Sequence, residues 1–200
     1  MATNPRAPTR AEVDEHMATH MPYRAWCPHC VVSGGRDQQH FLKGEEEVAA
    51  RGPQIAADYG FLSDKKESGE ESEKRGLTPI LVMRDRGSGG TLSMAVPSKG
   101  DEPSWVPQRC ARWIDSLGHQ SVILKTDQEP AIRAWARAVA RYRDAATVPE
   151  MSPVGDSQSN GVAEQAVGEV KKIIATLKHA LMTNIKTEIG SGHAVMTWLV

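Results

Sequence analysis

The order in which the hydrophobic period changes after residue 53 limits this chain's fold more than any other feature of its sequence. Three extended runs come first, QIAADYGFL, TPILVMRD and TLSMAVP, with RGSGG between the last two suited to a hairpin. The period then becomes helical, because Trp105, Cys110, Trp113, Ile114 and Leu117 share a face that ends at Gly118. SVILKTD reads as a buried strand. A helix follows from Pro130 with Ile132, Trp135, Ala136 and Val139 as its stripe, and ATVPEMS supplies another short strand. GVAEQAVGEVKKIIATLKHALM closes the series as a long amphipathic helix with Ala163, Val167, Val170, Ile174, Leu177 and Leu181 inward. The order βββαβαβα predicts an α/β fold, a mixed sheet of three antiparallel strands and then alternating helices and parallel strands.

Two hundred residues suffice for one such domain with a small appendage. The sequence divides accordingly into a polar, Pro-rich flexible tail at 1–14, a His- and Cys-rich module at 15–32, a linker at 33–50 and the core at 51–200. Within the core, residues 63–76 are a charged insertion without an apolar anchor. The final HAVMTWLV reads as a helix cut through, which would leave Trp198 and Leu199 exposed. Lys and Arg total 24 against 25 Asp and Glu, so overall charge does not mark a polyanion-binding protein and any such contact must be local. The first ten residues lack the apolar stretch of a secretory signal, and no run is long enough to span a bilayer, so an intracellular, non-membrane protein is expected.

Three acids stand where this topology concentrates chemistry. Asp58 interrupts the apolar first strand, where a carboxylate is costly unless a cation meets it. Asp127 ends the first parallel strand, the place where open α/β sheets form ligand sites, and the two strands are expected side by side. Glu164 opens the last helix, and steps of seven put Lys171 and Lys178 on its stripe. Taken singly, each acid is more often a turn or cap residue and each lysine a solvated one. Together they suit a phosphodiester reaction, with carboxylates holding Mg²⁺ or Mn²⁺ and ammonium groups following the phosphate backbone. Arg133, Arg137 and Arg141 recur every four residues, a pattern that also fits simple solvation of a helix.

The module has its own chemistry. His16 and His20 lie one helical turn apart, and Cys27 and Cys30 form a CxxC knuckle; two N and two S ligands favour tetrahedral Zn²⁺. His29 and His40 are possible substitutes in that set. CPHC as a redox pair is the weaker reading, since no βαβ unit precedes it and the histidines would be unexplained. Cys110, in a helical pattern, reads as a buried structural thiol.

These segments resemble the retroviral and copia-type retrotransposon integrases, whose signature is a His-His-Cys-Cys zinc module followed by a ribonuclease H-like core with an Asp, Asp, Glu triad. HMATHMPYRAWCPHC looks like the zinc module, AADYGFL and LKTDQEPAI like the two Asp segments, and SPVGDSQSNGVAEQAVGEVKK like the loop and helix carrying the Glu. The resemblance covers roughly residues 16 to 180, and the gap between the His and Cys pairs is shorter than in the retroviral type. It implies removal of terminal nucleotides from element DNA and strand transfer of the new 3′ hydroxyls into target DNA. Asp58, Asp127 and Glu164 would be catalytic. Gln158, Ser159 and Asn160 would meet the DNA end, and Lys171 would contact DNA. The resemblance also implies element and target DNA and further copies of the chain as partners, in a nucleus or a cytoplasmic retrotransposon particle. An inactive nucleic-acid-binding remnant and a ribonuclease H-like nuclease that only cleaves are the competing readings.

Overall fold

The computed structural model describes residues 8–33, 52–62, 77–152 and 160–200. The linker after Ser33, with the LKGEEEVAA stretch, and the charged insertion at 63–76 lie outside these residues. The chain forms two compact units, residues 42–171 with 190–200 and residues 1–41 with 172–189.

The larger unit is built on a five-stranded mixed sheet. β1 (Gln54–Phe61), β2 (Pro79–Asp85), β3 (Thr91–Ala95), β4 (Ser121–Thr126) and β5 (Ala146–Met151) lie in the order β3-β2-β1-β4-β5. β1–β2 and β2–β3 are antiparallel, whereas β1–β4 and β4–β5 are parallel. The expected order of strands is therefore present. β1 occupies the centre, so all its residues but half-buried Asp58 are buried. β5 lies at an edge, where Pro149 removes no amide needed by a further strand. The β2–β3 hairpin forms at RGSGG, with Gly89 at a φ of +72° and its N–H donating to the Asp85 carbonyl.

Alternation along β1 separates two faces. Ile55, Ala57 and Tyr59 join Leu81, Met83, Val122 and Leu124 against two helices, α3 (Trp105–Ser116) and α4 (Pro130–Tyr142). Val106, Cys110, Ile114, Ile132, Trp135 and Val139 fill that core. The α3 face differs from the expected one: it centres on Val106, Cys110 and Ile114, while Trp113 and Leu117 are only partly buried and Trp105 is exposed. Burial pushes the Cys110 thiol up to about 12, which leaves it an inert structural group. The opposite sheet face meets the start of α5 (Gly161–Ile185). There a Cβ on Gly60 would come within 2.7 Å of Val167 Cγ1 and 3.1 Å of Lys171 Cε, so only glycine allows this helix so close to β1.

Ala163, Val167, Val170 and Ile174 are buried as the pattern implied, with Ala166 added to them and Leu177 and Leu181 only half-buried. The last residues do not form the truncated α-helix expected. Ala194–Trp198 is a short 3₁₀ helix, begun by the His193 ring accepting from the Val195 N–H; Trp198 is exposed, and Leu199 is half-buried. No helix among the described residues is long and apolar enough to cross a membrane.

In the smaller unit, α1 (Arg10–Thr19) begins inside the stretch read as tail. Its start is a capping box: Thr9 Oγ1 accepts from the Glu12 N–H while the Glu12 carboxylate accepts from the Thr9 N–H. α2 (Pro28–Val32) starts with Cys27 at its N-cap and Pro28 in its first turn.

Candidate functional site

Two groups of side chains carry chemistry, one in each unit. The first gathers at the carboxyl end of β4. The parallel register aligns Ala56 with Lys125, each two residues before an aspartate, Asp58 on β1 and Asp127 just past the end of β4. Asp127 leads into α4, and its Oδ1 accepts the Glu129 N–H at 3.0 Å. Glu164 lies exposed in the first turn of α5. Asp58 Oδ1 accepts the Tyr59 N–H at 2.7 Å. Burial is the main reason the Asp58 carboxyl is pushed up to about 7. The negative charges of Asp127, Glu164 and Glu129 add to that rise, and the Tyr59 hydrogen bond opposes it. Three acids distant in sequence, with Glu129 as a fourth, thus share one region of negative charge.

Lys171 borders this region, its stem lying across Gly60, two residues along the same face of β1 from Asp58. The side chain as a whole is exposed, but the surrounding protein thins the hydration of its ammonium and holds it below its ordinary value, while the Asp58 charge pulls the other way. Lys178, two turns further along α5, is half-buried. Asn160 is buried just before α5, its side-chain oxygen without a hydrogen-bond partner among the described residues; Gln158 and Ser159 lie outside those residues. Of the α4 arginines, Arg137 and Arg141 are exposed and Arg133 is half-buried, and Arg141 makes a long, exposed pair with Asp101 at 3.8 Å.

Two residues that the sequence reading passed over also belong here. Glu129 is the residue before the first turn of α4, and its carboxylate pairs with Lys99 Nζ at 3.0 and 3.3 Å. The proximity of Glu129 to Asp127 in TDQEP was a usable signal. Lys99 offered none, because it arrives from the loop after β3.

The second group is the knuckle. His16 Nε2 lies 3.4 Å from Cys30 Sγ, and His20 Nδ1 lies 3.4 Å from Cys27 Sγ and 4.0 Å from Cys30 Sγ. All four ligand atoms fall within 4.8 Å of one another. Tetrahedral zinc, with its bond lengths near 2.0 and 2.3 Å, sets N and S ligands roughly 3.6 Å apart, so the group fits that ion. The local chain explains the convergence. His16 is the only buried residue of α1, and His20 takes the left-handed conformation at its C-cap, with φ 54°. That turn brings the ring towards Cys27.

All four residues are buried. Desolvation is the main influence on each shifted ligand, lowering both histidines and raising Cys30. Neutral imidazoles are what a metal requires, and the thiols would lose their protons to it. His29, considered as a substitute ligand, instead places its Nδ1 2.8 Å from His179 Nδ1 in the same unit. His40 lies outside the described residues. This His2Cys2 group could hold zinc.

No protein-family model matches the chain, and no curated protein matches it. Among solved structures it is weakly similar to a chain in the cryo-EM structure of a simian T-cell lymphotropic virus intasome in complex with PP2A regulatory subunit B56 gamma. The TM-score is 0.41 at 16% identity, covering 63% of this chain and 41% of that one, so the likeness spans less than half of its length.

Proposed function

We propose that the chain comprises the zinc-binding module and the ribonuclease H-like catalytic core of a retrotransposon-type integrase, a polynucleotidyl transferase acting on DNA. The observation that carries this reading is the joint action of Asp127 and Glu164 on Asp58, three acids delivered by two neighbouring strands and a helix start. A half-buried carboxyl surrounded by like charge suits a divalent cation, and an all-oxygen donor set suits Mg²⁺ or Mn²⁺. Asp58 and Asp127 would share one ion, with Glu164 completing a second site. Bound there, the ions would activate the attacking oxygen and stabilise the leaving one.

The residues then divide the work. The carboxylates fix where a phosphodiester can sit, and Lys171 meets its charge from the α5 side. In end processing, water oxygen attacks a phosphorus near the DNA terminus and the 3′ oxygen leaves. In strand transfer, that 3′ oxygen attacks a phosphorus of the target DNA, and the 3′ oxygen of the target strand leaves. Gln158 and Ser159 would approach the DNA end, Lys178 of the smaller unit would meet DNA phosphate, and further copies of the chain would hold the paired ends. Buried Asn160 would support the turn.

The test is a strand-transfer assay with Mg²⁺ on short duplexes. Joined products, lost in Asp127→Asn, support the reading. Cutting without joining would indicate a nuclease, and DNA binding without either would indicate a non-catalytic remnant.

A further inference from the structure

The loop after β3 braces both aspartates at once. Gly100 N–H donates to the buried Tyr59 hydroxyl at 3.1 Å, and Tyr59 is the residue whose own N–H holds Asp58. Its neighbour Lys99 lies over the rings of Tyr59 and Phe61, 5.8 and 5.0 Å from their centroids, and grips the Glu129 carboxylate. Glu129 in turn donates its N–H to Asp127. Tyr59 and Phe61 face the α3 and α4 side of the sheet, so Lys99 reaches the acids from the face opposite to Lys171. Its side chain is only 17% exposed, which shields the ammonium from water.

We infer that Lys99 and Glu129 are a positioning pair of opposite charge for the acidic site, with Lys99 offsetting the Glu129 charge that would otherwise deepen the negative field of Asp58 and Asp127 and tighten their hold on a divalent cation. This rests on reading those aspartates as an ion site. The Glu129 N–H is bonded to Asp127 Oδ1 at 3.0 Å, which ties the pair directly to the site. Removing either partner alone therefore changes the local charge by one unit, and the two removals act in opposite directions.

Mn²⁺ binding to the full, zinc-loaded chain, followed by the loss of the free-ion electron paramagnetic resonance signal, separates the possibilities. Glu129→Gln removes one negative charge beside the site and should weaken Mn²⁺ binding by about threefold to tenfold. Lys99→Met leaves Glu129 unbalanced and should tighten it by a similar factor. The double variant should return to within about twofold of the parent. Lys99→Arg keeps the charge and should stay near the parent even if Lys99→Met folds poorly. Shifts of the same sign for the two single variants, or no shift in either, would overturn the inference while leaving the ion site standing. Binding that Asp58→Asn with Asp127→Asn fails to reduce would remove the ion site itself, and the inference with it.

Discussion

At the scale of a residue, Asp58 is the clearest case of a side chain whose position works against stability. Its carboxyl has a pKa of about 7 in the folded chain against an ordinary value near 3.8, mainly through burial. Between those values the folded form binds a proton that the unfolded form has released, so stability is full below about pH 4 and falls as pH rises through 7. The loss from this group is at most about 4 kcal/mol. Asp58→Asn removes the titrating group and should gain in melting temperature over the parent as pH goes from 4.5 to 7.5. Added Mn²⁺ should close that gap for the parent alone. Parallel pH profiles for the two proteins would show that the carboxyl is not so placed. That Asp58 lies among apolar neighbours was legible because a charge in AADYGFL breaks a strand pattern. Lys99 was not, because a lone lysine in PSKG reads as a turn until the fold brings Tyr59, Phe61 and Glu129 around it.

Elements show how unevenly sequence signals reach structure. The strands announced themselves through apolar runs, but α1 has no apolar face to announce it, and its Thr9-x-x-Glu12 capping signature lay inside a stretch that composition marked as tail. His16 is its only buried residue, and Cys30 is the only buried residue of α2, both of them candidate ligands. With no other buried residue within them, these two helices should depend on the ion. The chain should carry one Zn²⁺. A strong chelator should abolish exchange protection in α1 and α2 while the core keeps its melting transition, and Cys27→Ser should do the same. Protection that survives complete zinc removal would contradict this. The contact between β1 and α5 gives a second expectation. Gly60→Ala inserts a methyl group where Val167 Cγ1 leaves 2.7 Å, and β-branched Val167 cannot swing aside. The helix must shift, at a cost of about 1–3 kcal/mol. Because the same helix carries Glu164 and Lys171, strand transfer should fall by more than the lost stability explains, read as kcat at a temperature where the variant is folded. Full activity in a destabilised Gly60→Ala would separate the packing from the site.

The larger unit as a whole has two ends with different duties, set by the direction of its parallel strands. The acids collect where β4 leaves the sheet, whereas the strand enters beside a buried polar network centred on Arg143. That guanidinium has no side-chain exposure and donates to Asp115 at 2.8 Å, to Thr147 Oγ1 at 2.6 Å and to the His119 carbonyl at 3.0 Å. His119 in turn contacts Asp85, whose carboxyl burial would raise but which hydrogen bonds from Ser88 and the neighbouring imidazole hold below its ordinary value. One arginine thus ties the ends of α3 and α4 to the starts of β4 and β5. Nothing in RYRD distinguishes it in sequence from the solvated arginines before it, since its role depends on partners 24 and 28 residues away. Arg143→Met should therefore be a scaffold lesion. Asp115 is 51% exposed and keeps its water, so the loss falls short of that for a wholly buried pair. We expect about 2–3 kcal/mol, or roughly 5–10 °C in the melting temperature of the core. Mn²⁺ affinity below that temperature should stay within about twofold of the parent, because the described partners of Arg143 lie at the end of β4 opposite to the acids. A variant that melts normally but binds Mn²⁺ poorly would show instead that the two ends of the sheet are coupled, and that the acids owe their placement to the network at the far end.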